Sequence, residues 1–394
     1  MIPHFPLTEP SDPPWIHPRA AYVHIPFCAH QCGYCDFAIA TGKDDRIHAY
    51  LDALALEMSS WKQRPIPSPL ATLFVGGGTP SHLNLGQLVR LCDLLHHALP
   101  VQSGAEVSIE ANPESLSAEK IKLLAEAGWS RISLGAQSFS KRTLKNLDRP
   151  HDPDAVRNAV SLVKAANLDV SLDLIFGAPD QTSTDWQADL VEAIALGTDH
   201  ISTYGLTYEK GTPLEKRVRL GMVRPIGEEL ERTMYSMAME SLGGAGYEHY
   251  EISNFAKPNK RCRHNEIYWA NEAHLGFGMG AAGFVGLTRN LNTRELERYI
   301  RQCVEGSNPA FQSETLGPRE RVIETMIQNL RRASGIESKR FFKQTGFEPN
   351  AFFKSELDPL GEQGFLAVDE QGFRLSYEGK FVADAVMKRL IRCL

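Results

Sequence analysis

Long apolar runs are missing from the 394-residue chain. The hydrophobic stretch Val170–Phe176 already carries Asp173, and a run of this length falls far short of the roughly 18 residues that read as a membrane helix, so none is expected. Charge of one sign is also scarce. Forty-two Lys and Arg stand against 48 Asp and Glu, a net of −6, so there is no global basic field to hold a phosphate backbone. With 42% hydrophobic and 23% charged residues, the composition excludes a disordered or fibrous chain. Residues 1–20 hold six prolines and lack a basic-then-apolar pattern, which excludes a secretory signal and reads as a flexible leader. Cysteine is sparse: seven in all, an odd number without an export signal. That argues against a disulfide framework and for the reducing cytoplasm, where clustered thiols hold metal.

What is present is a repeated β/α alternation. Short β-rich runs at Ala21–Phe27, Ala71–Gly76, Glu106–Ala111, Arg131–Gly135, Asp169–Phe176 and His200–Leu206 alternate with amphipathic segments such as Leu88, Leu91, Cys92, Leu95 and Leu99. Strand, crossover helix, strand, six times over, implies a parallel sheet covered by helices, either an open doubly wound sheet or a barrel. Polar residues recur at the carboxyl ends of successive runs: Gly77, Gly78 and Thr79, then Glu110 and Asn112, Gln137, Asp173, Tyr204 and Thr207. Barrels build their sites this way, which favours an α/β fold with a partial (β/α)6 barrel over residues 21–255.

Residues 256–316 read as a connecting segment, loop-rich or tightly packed around Gly276, Gly278, Gly280, Gly283 and Gly286. Residues 317–394 predict three helices (319–331, 337–345, 351–363), two short strands (365–368, 373–375) and a last helix (378–394), a winged-helix-like unit. From residue 318 onward it holds 13 Lys and Arg against 11 Asp and Glu. So small a surplus points to packing or a partner rather than nucleic acid.

Cys28, Cys32 and Cys35 fall within eight residues directly after the first strand. Three thiolates suit three corners of a cubane iron–sulfur cluster and leave one iron free; a zinc site completed by a distant residue is the alternative. Cys92 and Cys303 sit on apolar helix faces and read as small core residues.

The CxxxCxxC spacing after a first barrel strand resembles the radical S-adenosylmethionine (SAM) superfamily. The resemblance implies a 4Fe–4S cluster on Cys28, Cys32 and Cys35, with SAM chelating the open iron and releasing a deoxyadenosyl radical on reduction. It further implies a SAM site made of Tyr34, Gly77, Gly78, Thr79, Glu110, Gln137, Arg149 and Asp173, with Tyr22 at the cluster edge. Glycine after the second strand lets backbone approach a ligand closely. The guanidinium of Arg149 suits the methionine carboxylate.

His24-Ile-Pro-Phe-Cys28 and Cys35-Asp36-Phe37 are similar to the coproporphyrinogen-oxidase-like branch of that superfamily, in which HemW-type haem chaperones stand beside true oxygen-independent oxidases. The oxidases carry an additional cysteine where this chain has Phe37, and a longer segment before the first strand; both differences favour the chaperone type. The segment His264-Asn-Glu-Ile-Tyr268-Trp269 matches the HNxxYW pattern of that type. It implies haem held by His264, with Cys262 as a second possible iron ligand. A glycine-rich segment that commonly reads Gly-Ala-His in the family has Ala282 at the histidine position. The resemblance thus implies a haem chaperone delivering haem to acceptor proteins, the alternative being a radical SAM enzyme acting on a porphyrin-type substrate. Catalytic residues are not assigned, His24 included, and nucleic acid is not an expected partner. No amphipathic basic helix marks a membrane surface, and peripheral contact is the one membrane association this reading leaves open.

Overall fold

The structure is a computed structural model that describes residues 14–61 and 69–393. Its centre is one twelve-stranded sheet. Six strands run parallel and side by side in chain order: β1 (Ala20–Ile25), β2 (Leu70–Gly77), β3 (Val101–Ala111), β4 (Arg131–Gln137), β5 (Asp169–Phe176) and β6 (His200–Gly205). Helices α1 (Ile47–Trp61), α2 (Leu85–Ala98), α3 (Ala118–Glu126), α4 (Pro153–Ala165), α5 (Ser183–Ala195) and α6 (Glu228–Gly244) provide the outer layer. Their starts are written in sequence. Asn84 with Gln87 and Thr182 with Asp185 form capping boxes on α2 and α5, and Pro153 opens α4.

Strand alternation sorts the side chains. Leu73, Val75, Ile109, Ile132, Leu134, Leu172 and Leu174 point one way into the buried core shared with the helices. Each such side chain contributes about 1.5–3 kcal/mol by burial. The alternate residues, Thr72, Ser108, Ser133, Ser171 and Ser202, are polar and buried on the other face. Most of them are satisfied within that face, Thr72 by His264, Ser133 by Asp173 and Ser171 by His200.

The connecting segment is part of the sheet rather than a loop. Strands β7 (Glu248–Glu251) and β8 (Asn254–Ala256) extend the β6 edge in antiparallel fashion. Beyond β1 lie β9 (His274–Phe277), parallel to it, and then β10 (Ala282–Val285), β11 (Thr288–Asn292) and β12 (Ala310–Thr315), all antiparallel. Ala282 is exposed on β10, paired with Leu291. Between these two extensions the chain forms a short helix, α7 (Arg263–Trp269), which carries the HNxxYW pattern.

Of the leader expected over 1–20, residues 1–13 lie outside the described residues. Residues 14–19 are held in place: Trp15 is buried, and the Pro14 and Ile16 carbonyls accept from Ala273 and Gly286 N–H.

Residues 318–391 form a unit with its own apolar core, including Phe341, Phe353 and Phe373. A three-stranded antiparallel sheet (Ile336–Glu337, Gly372–Leu375, Leu366–Asp369) includes one strand more than the sequence pattern suggested. The helix expected over 351–363 is split into Pro349–Phe352 and Lys354–Glu362, because Phe353 leaves helical geometry to bury its ring. The unit docks on the barrel through Arg331 O accepting from Ile252 N, Gln344 donating to Ala270 O, and the Arg340–Glu272 ion pair.

Candidate functional site

At the carboxyl ends of the parallel strands lies a cavity of about 500 Å³. Cys28, Cys32 and Cys35 line it, together with Tyr34, Gly77, Gly78, Thr79, Glu110, Gln137, Arg149 and Asp173. Eleven of the thirteen residues singled out in the sequence therefore share one wall. Tyr22 and His264 do not.

The cysteine loop is pinned at its middle, on both sides of Gly33. Gly33 N donates to Leu147 O at 3.2 Å, Gly33 O accepts from Leu214 N at 2.8 Å, and Cys35 N donates to Cys32 O at 3.2 Å. Gly78 and Thr79 donate their N–H groups to Ile25 O and Phe27 O, tying the glycine segment to the start of the loop. A Cβ at Gly78 would lie 2.5 Å from Pro26 O and 3.0 Å from Cys28 Sγ. Gly77 is in the left-handed region at φ +111°, and a Cβ there would strike the His24 ring at 2.3 Å.

His24 turns out to be the hub beneath the loop. Its Nε2 donates to Ala38 O at 2.7 Å, which leaves Nδ1 to accept from Tyr22 OH at 3.0 Å. Burial pulls its pKa down to about 4, so the ring is neutral, as this pair of bonds requires. Tyr22 is not among the lining residues of the cavity; stacked on Phe74, it reaches the site through His24. Tyr22 and His24 stand at i and i+2 on one strand face, a spacing that could have linked them.

Arg149 has turned inward from its loop. It donates to Cys32 Sγ at 3.3 Å, to Asn112 Oδ1 at 2.5 Å and to Gly135 O at 2.9 Å. Its Nε is buried without a partner. Asn112 also donates to Thr79 Oγ1, which is 3.4 Å from Cys28 Sγ, so it joins two of the cysteines' neighbours. Gln137 ends β4 at φ +64°, rare for a residue with a side chain, at a break in the β4–β5 register.

Glu110 accepts from Gly77 N at 2.8 Å, and burial pushes its pKa up to about 7. Burial likewise raises Asp173, which accepts from Ser133 at 3.0 Å. Desolvation also raises Cys28, and Cys35 to about 11. An electron-deficient group among them would offset these costs. Among the described residues no three His, Cys, Asp or Glu side chains converge as a single-ion site requires. The three thiols are spread around one cavity instead, as ligands to separate irons of a cluster must be. The donor set, the close glycine backbone and the orphaned Arg149 Nε fit a 4Fe–4S cluster carrying an amino-acid-bearing nucleotide.

His264 sits at the opposite, amino-terminal end of the strands. The carboxylate of Glu106 on β3 accepts from Arg263 N and His264 N, and Cys262 Sγ lies 3.5 Å from it. Arg131 backs the same carboxylate at 3.4 Å. The His264 ring, 1% exposed, shares a 2.8 Å hydrogen bond with Thr72 Oγ1 and stacks on Phe74. Its Nε2 is buried without a partner. The segment 262–269 therefore closes the barrel floor, and neither His264 nor the buried Cys262 presents an open face to a macrocycle in this conformation.

Residues 22–192 match the radical SAM superfamily and residues 316–382 the HemN C-terminal domain. The heme chaperone HemW of Bacillus subtilis is 35% identical over 370 residues, covering 93% of this chain and 98% of that protein. The heme chaperone HemW of Escherichia coli is 31% identical over 379 residues, covering 94% and 97%. Among solved structures, coproporphyrinogen III oxidase (HemN) from Escherichia coli superposes with a TM-score of 0.83 at 22% identity, covering 97% of this chain and 91% of that one, which shows a shared fold. With such relatives above 30% identity and nearly all of each chain covered, this chain belongs to the HemW family of the radical SAM superfamily.

Proposed function

We propose that this chain is a haem chaperone: it binds haem, carries a SAM-ligated 4Fe–4S cluster and passes haem to acceptor proteins in the cytoplasm. The observation that carries the reading is the nearly full-length similarity to proteins named heme chaperone HemW. Phe37 supports it from the site, since a 61% exposed phenyl ring stands on the cavity wall where an oxidase would have its additional cysteine.

Cys28, Cys32 and Cys35 would hold the cluster, which when bound supplies an electron to the sulfonium of SAM. The chain's own residues supply the rest. Gly77 and Gly78 let the backbone approach, Tyr34 offers an aromatic face, and Thr79 stands beside Cys28. Arg149 presents its unpartnered Nε to a carboxylate, while Glu110 and Asp173 offer acceptors for hydroxyl or ammonium groups. Gln137 completes the wall. Tyr22 holds His24, and through it the loop. For His264 to serve as an iron ligand, α7 must move so that the ring leaves Thr72 and Phe74. No described helix is long and apolar enough to cross a membrane, and any membrane contact would be peripheral.

The test is anaerobic reconstitution followed by haem titration. A stoichiometric Soret change is the expected result. Vinyl-group formation from coproporphyrinogen, with SAM consumed, would contradict the reading.

A further inference from the structure

Positive charge is left uncompensated on the outer face of α7. Arg263, Glu266, Ile267 and Ala270 recur at helical spacing on the side away from His264 and Tyr268. With Arg19 and Ala71 from the barrel floor, and Arg332 and Arg340 from the C-terminal unit, they line a cleft of about 350 Å³.

Four arginines meet two carboxylates there, and both carboxylates are engaged. Glu272 pairs with Arg340, and Glu266 lies 3.4 Å from Arg261 outside the cleft. Among the described residues, Arg19, Arg263 and Arg332 form no side-chain ion pair; the Arg263 guanidinium donates only to the Gly104 carbonyl. Arg332 is half-buried, and desolvation together with neighbouring Arg340 lowers its pKa from the ordinary arginine value, against the smaller opposing pull of Glu266 and Glu272. Arg340 Nε is buried without a partner. Between the guanidinium groups, Ala71, Ile267 and Ala270 give the cleft an apolar floor.

Planar guanidinium forks pair bidentately with carboxylates. A ligand that answers both features carries carboxylates on an apolar body. We infer that this cleft receives the propionate carboxylates of haem, with Arg263 and Arg332 as the principal contacts. The inference rests on the haem-carrier reading above. It gives α7 two faces, one closing the barrel floor and one meeting the cargo. An acidic protein segment is the competing occupant, and the experiment separates the two.

The full chain is titrated with haem and, in parallel, with haem dimethyl ester, whose propionates carry no charge. Haem should bind at least about tenfold more tightly than the ester, the size expected from one charge-assisted pair. The double variant Arg263→Gln, Arg332→Gln should bring haem to within about twofold of the ester. Its unchanged affinity for the ester would show that the variant is folded. Equal wild-type affinity for haem and ester overturns the propionate cleft while leaving haem binding intact. So does a double variant that keeps the preference, or a poly-glutamate peptide that occupies the cleft and is not displaced by haem. Failure of both haem and ester to bind overturns the haem-carrier reading beneath it.

Discussion

Replacing His264 separates a floor-sealing role from an exposed one. At pH 7.5 the ring is neutral, stacked on Phe74 and bonded to Thr72 at 2.8 Å. His264→Ala removes the ring, leaves a void and frees the threonine hydroxyl, costing about 2–4 kcal/mol. His264→Phe keeps ring volume and loses one hydrogen bond, costing about 1 kcal/mol. Acid reverses the second comparison. Burial lowers the His264 pKa from 6.5 to about 3. Between those values the unfolded chain binds a proton that the folded chain does not. Stability from this group is therefore present above pH 6.5 and lost toward pH 3, at about 1.4 kcal/mol per pH unit. By pH 5 wild type has lost about 2 kcal/mol by this route, and His264→Phe none. Urea unfolding followed by tryptophan fluorescence should show wild type more stable at pH 7.5 and His264→Phe more stable at pH 5. Parallel curves at the two pH values, or an unchanged midpoint for His264→Ala, would refute the enclosed histidine. The same experiment guards any haem titration of His264→Ala, because it separates loss of an iron ligand from loss of the floor.

Three further outcomes follow from the cavity. Gly78→Ala places a methyl 2.5 Å from Pro26 O, so the cysteine loop must shift; about 1–3 kcal/mol of stability should go, and iron and sulfide after reconstitution should fall, with full cluster content counting against the close approach. Glu110→Gln removes a carboxyl whose pKa burial raises from 4.5 to about 7. Because the folded chain holds that proton longer than the unfolded one, stability is lost as pH rises through this window, so the variant should gain up to about 3 kcal/mol at pH 8 and little at pH 5. An equal effect at both pH values in thermal melts would contradict the buried carboxyl. Arg149→Lys cannot reproduce the fork to Asn112, Gly135 and Cys32; SAM affinity by equilibrium dialysis should fall about tenfold, and an unchanged value would remove Arg149 from the site.

The fold was legible where periodicity carries it. Six β-rich runs became the six parallel strands because alternation puts Leu73, Val75 and Ile109 against the helices. The cysteine cavity was legible because strand ends must converge once the strands are parallel. Three things were not. The segment after residue 255 reads as loop-rich or tightly packed since its strands are short, glycine-interrupted and mostly antiparallel, yet sheet pairing overrides those weak propensities. The HNxxYW segment reads as a ligand set because histidine and aromatics suit haem, but nothing local reveals that Glu106, some 158 residues earlier, draws it into the floor. His24 was passed over for the same reason: its partners Ala38 and Gly77 become neighbours only in the folded chain.

The most direct test of the account is Mössbauer spectroscopy of 57Fe-reconstituted, oxygen-free protein with and without SAM. A 4Fe–4S signal in which one iron becomes distinct on adding SAM, lost in Cys32→Ala, is the predicted result. Mononuclear iron or a zinc-filled protein, or a cluster whose four irons ignore SAM, would contradict it.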